Sequence, residues 1–134
     1  MLASASTLVR LSLHVLATTV WVGGQLTLGG LVPTLRRVSP ESTQAVARAF
    51  ARLAWPAYGA LVLTGFWNLA AVDLSKQTAA WRGVLVAKII VVAASGLSAF
   101  LHQRAKTTAG LAGWGAAASV TTVAALVLGV SLGG

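Results

Sequence analysis

Long runs of this chain carry no charge, and few folds tolerate that. Between Arg10 and Arg36 lie 25 residues without a Lys, Arg, Asp or Glu. Between Arg52 and Asp73 there are 20, and between Lys88 and Arg104 there are 15, extended backward by Gly83 to Ala87. After Lys106 the final 28 residues are uncharged. A helix that crosses a bilayer needs about 20 apolar residues. The runs therefore predict helices near residues 7–33, 40–72, 81–103 and 109–132. The expected fold is all-α: a single integral-membrane domain, residues 1–134, in which four transmembrane helices form an antiparallel up-and-down bundle. Charged residues make up 9% of the chain, against about 25% in a soluble domain. Such a surface suits lipid rather than water.

Loop charges predict an orientation. Arg36, Arg37, Arg48, Arg52, Arg104 and Lys106 flank the first and third loops, and Arg10, Lys76 and Arg82 lie on the other side. Cationic loops stay in the cytoplasm. Both termini are thus expected outside, with the chain in the cell's inner (plasma) membrane. The first apolar run is too long for a cleaved signal peptide and reads as a retained helix. The net charge of +8 does not point to nucleic acid, because the cations are dispersed between apolar runs rather than gathered in one patch. Cysteine is absent, which excludes disulfides, thiolate metal sites and iron–sulfur clusters.

Ser39, Pro40 and Glu41 have the order of a helix start: an N-cap, a first-turn proline and an acid near the positive helix end. Arg48 and Arg52 share a helical face, and Pro56 removes a backbone donor further along. Small residues are dense at Gly23, Gly24, Gly29 and Gly30, and again at Gly110, Gly113, Gly115 and Ala116 to Ala118. Helices in lipid approach closely through such residues. They suit either a compact bundle or a face for a second copy or a larger membrane complex.

The polar residues within the runs are the candidates for chemistry. Arg10, His14, Thr18, Trp21 and Gln25 recur in steps of three and four, one face of a helix. Lys88, Ser95 and His102 recur every seven residues, and Thr64 and Asn68 stand four apart with Trp67 beside them. Polar groups in hydrocarbon are costly, so they face a protein interior or water. His14 and Lys88 each lie about seven residues into helices entering from the outer side, roughly 10 Å deep. They are expected to face a common cavity in the outer leaflet near Trp67 or Asn68. Each has a plainer reading: His14 as a hydrogen-bonded structural residue, Lys88 as a side chain reaching back to the interface. His102, beside Gln103 and Arg104, reads as a solvated helix end. Trp81 and Trp114 read as interface anchors, and Trp21, Trp55 and Trp67 as packing residues or the lining of a flat ligand. No carboxylate lies in any run, and no phosphate loop or hydrolase motif is present.

His14, Trp21, Gly23 and Gly24, followed by an apolar run and Arg36-Arg37, resemble the first helix of the copper resistance D family. Thr64-Gly65 and Trp81-Arg82-Gly83-Val84-Leu85-Val86-Ala87-Lys88 resemble its later segment. The pairing of a first-helix His with a third-helix Lys is also similar to the four-helix bacterial protoporphyrinogen oxidases, which bind haem b. After Trp21 this chain has Val22-Gly23-Gly24-Gln25, where those oxidases have aromatic residues. The resemblances imply roles for His14, as a metal ligand, and Lys88 only, with haem b or copper as the cofactor; Trp67 and Asn68 join the expected site by their depth, and Trp21 by its place on the His14 face. Three readings follow. One is a metal- or haem-binding protein of copper homeostasis. Another is a haem-dependent porphyrinogen or quinone oxidoreductase. The third is a cofactor-free accessory subunit.

Overall fold

The computed structural model describes residues 2–133 and contains no strand among them. The chain begins with one continuous helical rod. It comprises α1 (Ala5–Thr18), a π-helical turn (Thr19–Gly23) and α2 (Gly24–Val38). A 3₁₀ turn, Pro40–Ser42, leads into α3 (Thr43–Ala70). A second 3₁₀ turn, Leu74–Lys76, precedes α4 (Ala79–Arg104), and α5 is Thr108–Gly133. Three stretches are long and apolar enough to cross a membrane: Ala5–Val38, Ala79–Arg104 and Thr108–Gly133. α3 is also long, but Arg48, Arg52, Trp55, Pro56, Tyr58, Trp67 and Asn68 dilute its apolar content.

Local chemistry sets the helix ends. Ser4 caps α1 by accepting from the Thr7 amide, and Thr78 caps α4 by accepting from the Trp81 amide at 3.1 Å. Each satisfies a backbone donor that the first turn leaves open. Ser39 does something else. Its hydroxyl donates to Glu41 Oε1 at 2.8 Å and pairs with Ser42 Oγ at 2.7 Å, and no backbone amide bonds to it. The helix expected to start at Pro40 therefore begins as a 3₁₀ turn, with α3 proper at Thr43. The first rod also runs past Pro33 to Val38 rather than stopping near residue 33. Leu35 accepts the Ser39 amide at its end.

Two compact units divide the chain, Met1–Val72 and Asp73–Gly134. In the first, α1 and α3 run antiparallel. Arg10 meets Asn68, His14 meets Thr64, and Trp21 meets Tyr58. Ala17, Trp21, Val22, Ala54 and Leu61 are its buried apolar residues. Gly24 lets α3 come close, since a Cβ built there would stand 2.5 Å from Cε2 of Phe50.

In the second unit, α4 and α5 meet through small residues: Ser95, Gly96, Ser98 and Ala99 against Ala118 and Thr122. Ser95 and Thr122 are each 1% exposed and share a 2.8 Å hydrogen bond. Large apolar side chains point the other way. Leu8, Val15, Leu16, Leu63, Ile90, Leu97, Val120 and Val127 are all exposed. Soluble proteins bury their leucines and expose their hydroxyls. Here the small and polar residues are inside and the leucines outside, as packing in lipid favours.

Candidate functional site

The site residues of the first unit lie along the seam between α1 and α3. Thr64 is buried, and its hydroxyl donates to the Ala60 carbonyl at 2.6 Å. A hydroxyl has one proton. With that proton directed at Ala60, Thr64 Oγ1 acts as the acceptor in its 2.8 Å bond with His14 Nδ1. His14 Nδ1 therefore donates to Thr64, which in the neutral ring leaves Nε2 as the nitrogen with the lone pair. The ring is half-buried, with Cε1 facing Gly65.

One turn away on each helix, Arg10 Nη1 donates to the backbone carbonyl of Asn68 at 3.4 Å. Asn68 Oδ1 is buried with no hydrogen-bond partner. This end of the seam thus holds an oriented imidazole, a guanidinium and an amide with hydrogen-bonding capacity left over. Trp67, next to Asn68, is 45% exposed.

Deeper along the rod, Thr18 and Thr19 hydroxyls donate to the carbonyls of His14 and Val15, both at 2.8 Å. Such back-bonds load the helical ladder and bend it. The π turn begins at Thr19 and carries Trp21, which is 3% exposed. Trp21 packs on Tyr58 with ring centroids 4.6 Å apart and on Trp55 at 5.4 Å, and Trp55 meets Tyr58 edge-on at 5.8 Å. This is a packed aromatic cluster. Sequence reasoning placed Trp21 and Trp55 but missed Tyr58, whose three-residue spacing from Trp55 was the available signal.

Lys88 belongs to the second unit. Its ammonium lies beside Gly129, 3.2 Å from where a Cβ would be. It has no hydrogen bond or ion pair among the described residues. Trp81, near the start of the same helix, donates Nε1–H to the Leu132 carbonyl at 3.2 Å, tying α4 to the end of α5. His102 stands in the last turn of α4, half-exposed as the sequence suggested, and it is held there. Its Nδ1 is 2.9 Å from the Leu111 carbonyl and its ring fills the space above Gly115. Gly115 is what admits the ring, and sequence spacing alone does not pair residues on different helices.

The two acids stand in the turns. Hydrogen bonding by its own backbone, and then by Ser39, holds the Glu41 carboxyl below the usual range. The Ser75 hydroxyl and then the Ser75 amide do the same for Asp73.

Donor chemistry limits what the seam can hold. Among the described residues, no three His, Asp or Glu side chains gather as metal-ion cages require. A bare copper ion at His14 would need further donors. Haem iron asks the protein for an axial ligand such as one imidazole, and its carboxylates ask for cations. An Nε2 lone pair with Arg10 one turn away fits the second request better than the first. Comparison of this chain with family models, with curated proteins and with solved structures returns no match.

Proposed function

We propose that this chain is an integral membrane protein of the plasma membrane that binds haem b through His14, in membrane redox chemistry or metal homeostasis. The observation that carries this reading is the directed chain from His14 Nδ1–H to Thr64 Oγ1 to the Ala60 carbonyl. A ligating histidine is typically oriented through its other nitrogen in this way, which fixes its tautomer and increases its basicity. In this reading His14 would hold the haem iron through its second ring nitrogen, Thr64 would orient the ring, and Arg10 would receive a carboxylate. Bound haem would supply one-electron chemistry. In the second unit, the unpaired Lys88 ammonium is proposed as a further anchor for an anionic ligand.

The exposed leucines and the buried hydroxyl pair support insertion of both units in lipid. Cation-rich loops after α2 and α4 support a topology of four crossings with both termini outside. Spectra and metal analysis of the purified protein test the reading. Wild type should show a Soret band and retain haem, and a folded His14→Ala variant should lose both. Equal haem in the variant removes His14 from the ligand role. Copper without a Soret band returns the copper-homeostasis reading. A wild type holding neither leaves a cofactor-free accessory subunit.

A further inference from the structure

The first rod is too long for the membrane it would cross. Ala5–Val38 is 34 residues, or about 51 Å at 1.5 Å per residue. The hydrocarbon core is about 30 Å thick. Even at the roughly 40° extreme of helix tilts, the rod would stand about 39 Å tall. Part of it must leave the hydrocarbon core.

The pairing with α3 shows which part. Phe50 packs onto Gly24, so Arg52, two residues further along α3, is level with the start of α2. From Ala5 to Gly24 is about 29 Å, and from Arg52 to Ala70 about 27 Å. Those two segments match one bilayer thickness. The remainder, Gly24–Val38 with Thr43–Arg52, forms a helical hairpin about 20 Å long.

Four arginines mark this hairpin. Arg36, Arg37, Arg48 and Arg52 are all exposed, and none has a hydrogen bond or ion pair among the described residues. Arg48 and Arg52 lie one turn apart at its foot. Arg36 and Arg37 stand near its tip, about 18 Å beyond Gly24. The headgroup layer is only about 5–8 Å deep on each side. The foot arginines meet phosphates there, and the tip arginines lie beyond them by more than the Debye length of about 8 Å at physiological salt.

We infer that residues 24–52 form a helical hairpin projecting from the membrane, whose foot, Arg48 and Arg52, binds the phosphates of anionic phospholipids. The inference rests on the membrane reading above, and its test separates the two. The chain has no cysteine, so single cysteines at Leu16, Leu31 and Val38 can carry spin labels in bilayers. Oxygen should broaden the label at Leu16, and a water-soluble nickel chelate should broaden those at Leu31 and Val38. If Leu31 proves as lipid-exposed as Leu16, the hairpin does not project. If Leu16 is itself in water, the membrane reading fails.

For the lipid, native mass spectrometry measures retention of phosphatidylglycerol over phosphatidylcholine from mixed micelles. At about 1 kcal/mol per basic residue near an anionic surface, R48Q/R52Q should lower that preference about 30-fold at low salt. R36Q/R37Q should lower it less than about threefold, given its distance. Equal losses from the two pairs, or none from R48Q/R52Q, would overturn the assignment of the foot.

Discussion

Replacing Thr64 by Val tests the core of the α1–α3 seam. Valine keeps the shape of threonine and removes the hydroxyl. Two interactions go: the acceptor 2.8 Å from His14 Nδ1 and the back-bond to Ala60. The back-bond is a small loss, because the Ala60 carbonyl keeps its helical amide. The His14 N–H is the larger one, since a buried donor left without its partner costs about 1–3 kcal/mol. His14 is only half-buried, and polar pairs inside membranes average about 0.6 kcal/mol with a maximum near 1.7. Together these place the expected loss at about 1 kcal/mol. Reversible unfolding in mixed detergent micelles measures it, with Thr64→Ser as the control that restores the hydroxyl. A double-mutant cycle with His14→Phe isolates the pair, and its coupling should be about 0.6–1.7 kcal/mol. Additivity within about 0.3 kcal/mol would refute the reasoning, because it would mean that Thr64 does not hold the imidazole. In haem-loaded protein, the same Thr64→Val change should weaken retention about 10- to 100-fold.

Other perturbations address separate features. Thr122→Val removes the 2.8 Å hydrogen bond with Ser95 in the α4–α5 seam and should cost about 1 kcal/mol by the same unfolding assay. Gly24→Leu should force Phe50 off α2 and destabilise by about 1–3 kcal/mol, with partial rescue by Phe50→Ala. Gly115→Leu should expel the His102 ring, read as a changed His102 signal in NMR spectra. Asp73 has a lowered folded pKa, so its hydrogen bonds to Ser75 are intact above the ordinary Asp range of about 3.9 and fade as pH falls through the lower folded value. Amide exchange at Ser75 should quicken along that acid limb in wild type and lose its pH step in Asp73→Asn.

The helices were legible because charge-free runs of this length suit few structures other than helices, and Arg10, His14, Thr64 and Asn68 turn into the seam rather than outward. The step of four between Arg10 and His14, matched by that between Thr64 and Asn68, is the pattern that brings them together in the seam. Other features had no local signature. Ser39, Pro40 and Glu41 read as a helix cap until three side-chain hydroxyls and carboxylates in a row could bond one another instead. The first helix was expected to end near residue 33, yet the proline there costs a helix only one donor, and the rod continues to Val38. His102 read as a solvated helix end because Gln103 and Arg104 are polar, and it does stand half-exposed there. Its contacts with Leu111 and Gly115, on the next helix, had no signature in the sequence.

The π turn at Thr19–Gly23 works as a phase shifter. An α-helix advances about 100° per residue, so the extra residue in a π turn shifts the sequence phase of everything beyond it by roughly that amount. The face that α1 presents to α3 and the face that α2 presents to Phe50 are therefore set independently, with the π turn as the dial between them. Deleting one residue from this turn would leave both helices intact and their composition nearly unchanged. It would close the turn to α geometry, and because the lost residue and the regained rotation cancel, Gly24 would still face Phe50. An indel that elsewhere re-aims a helix would here be absorbed.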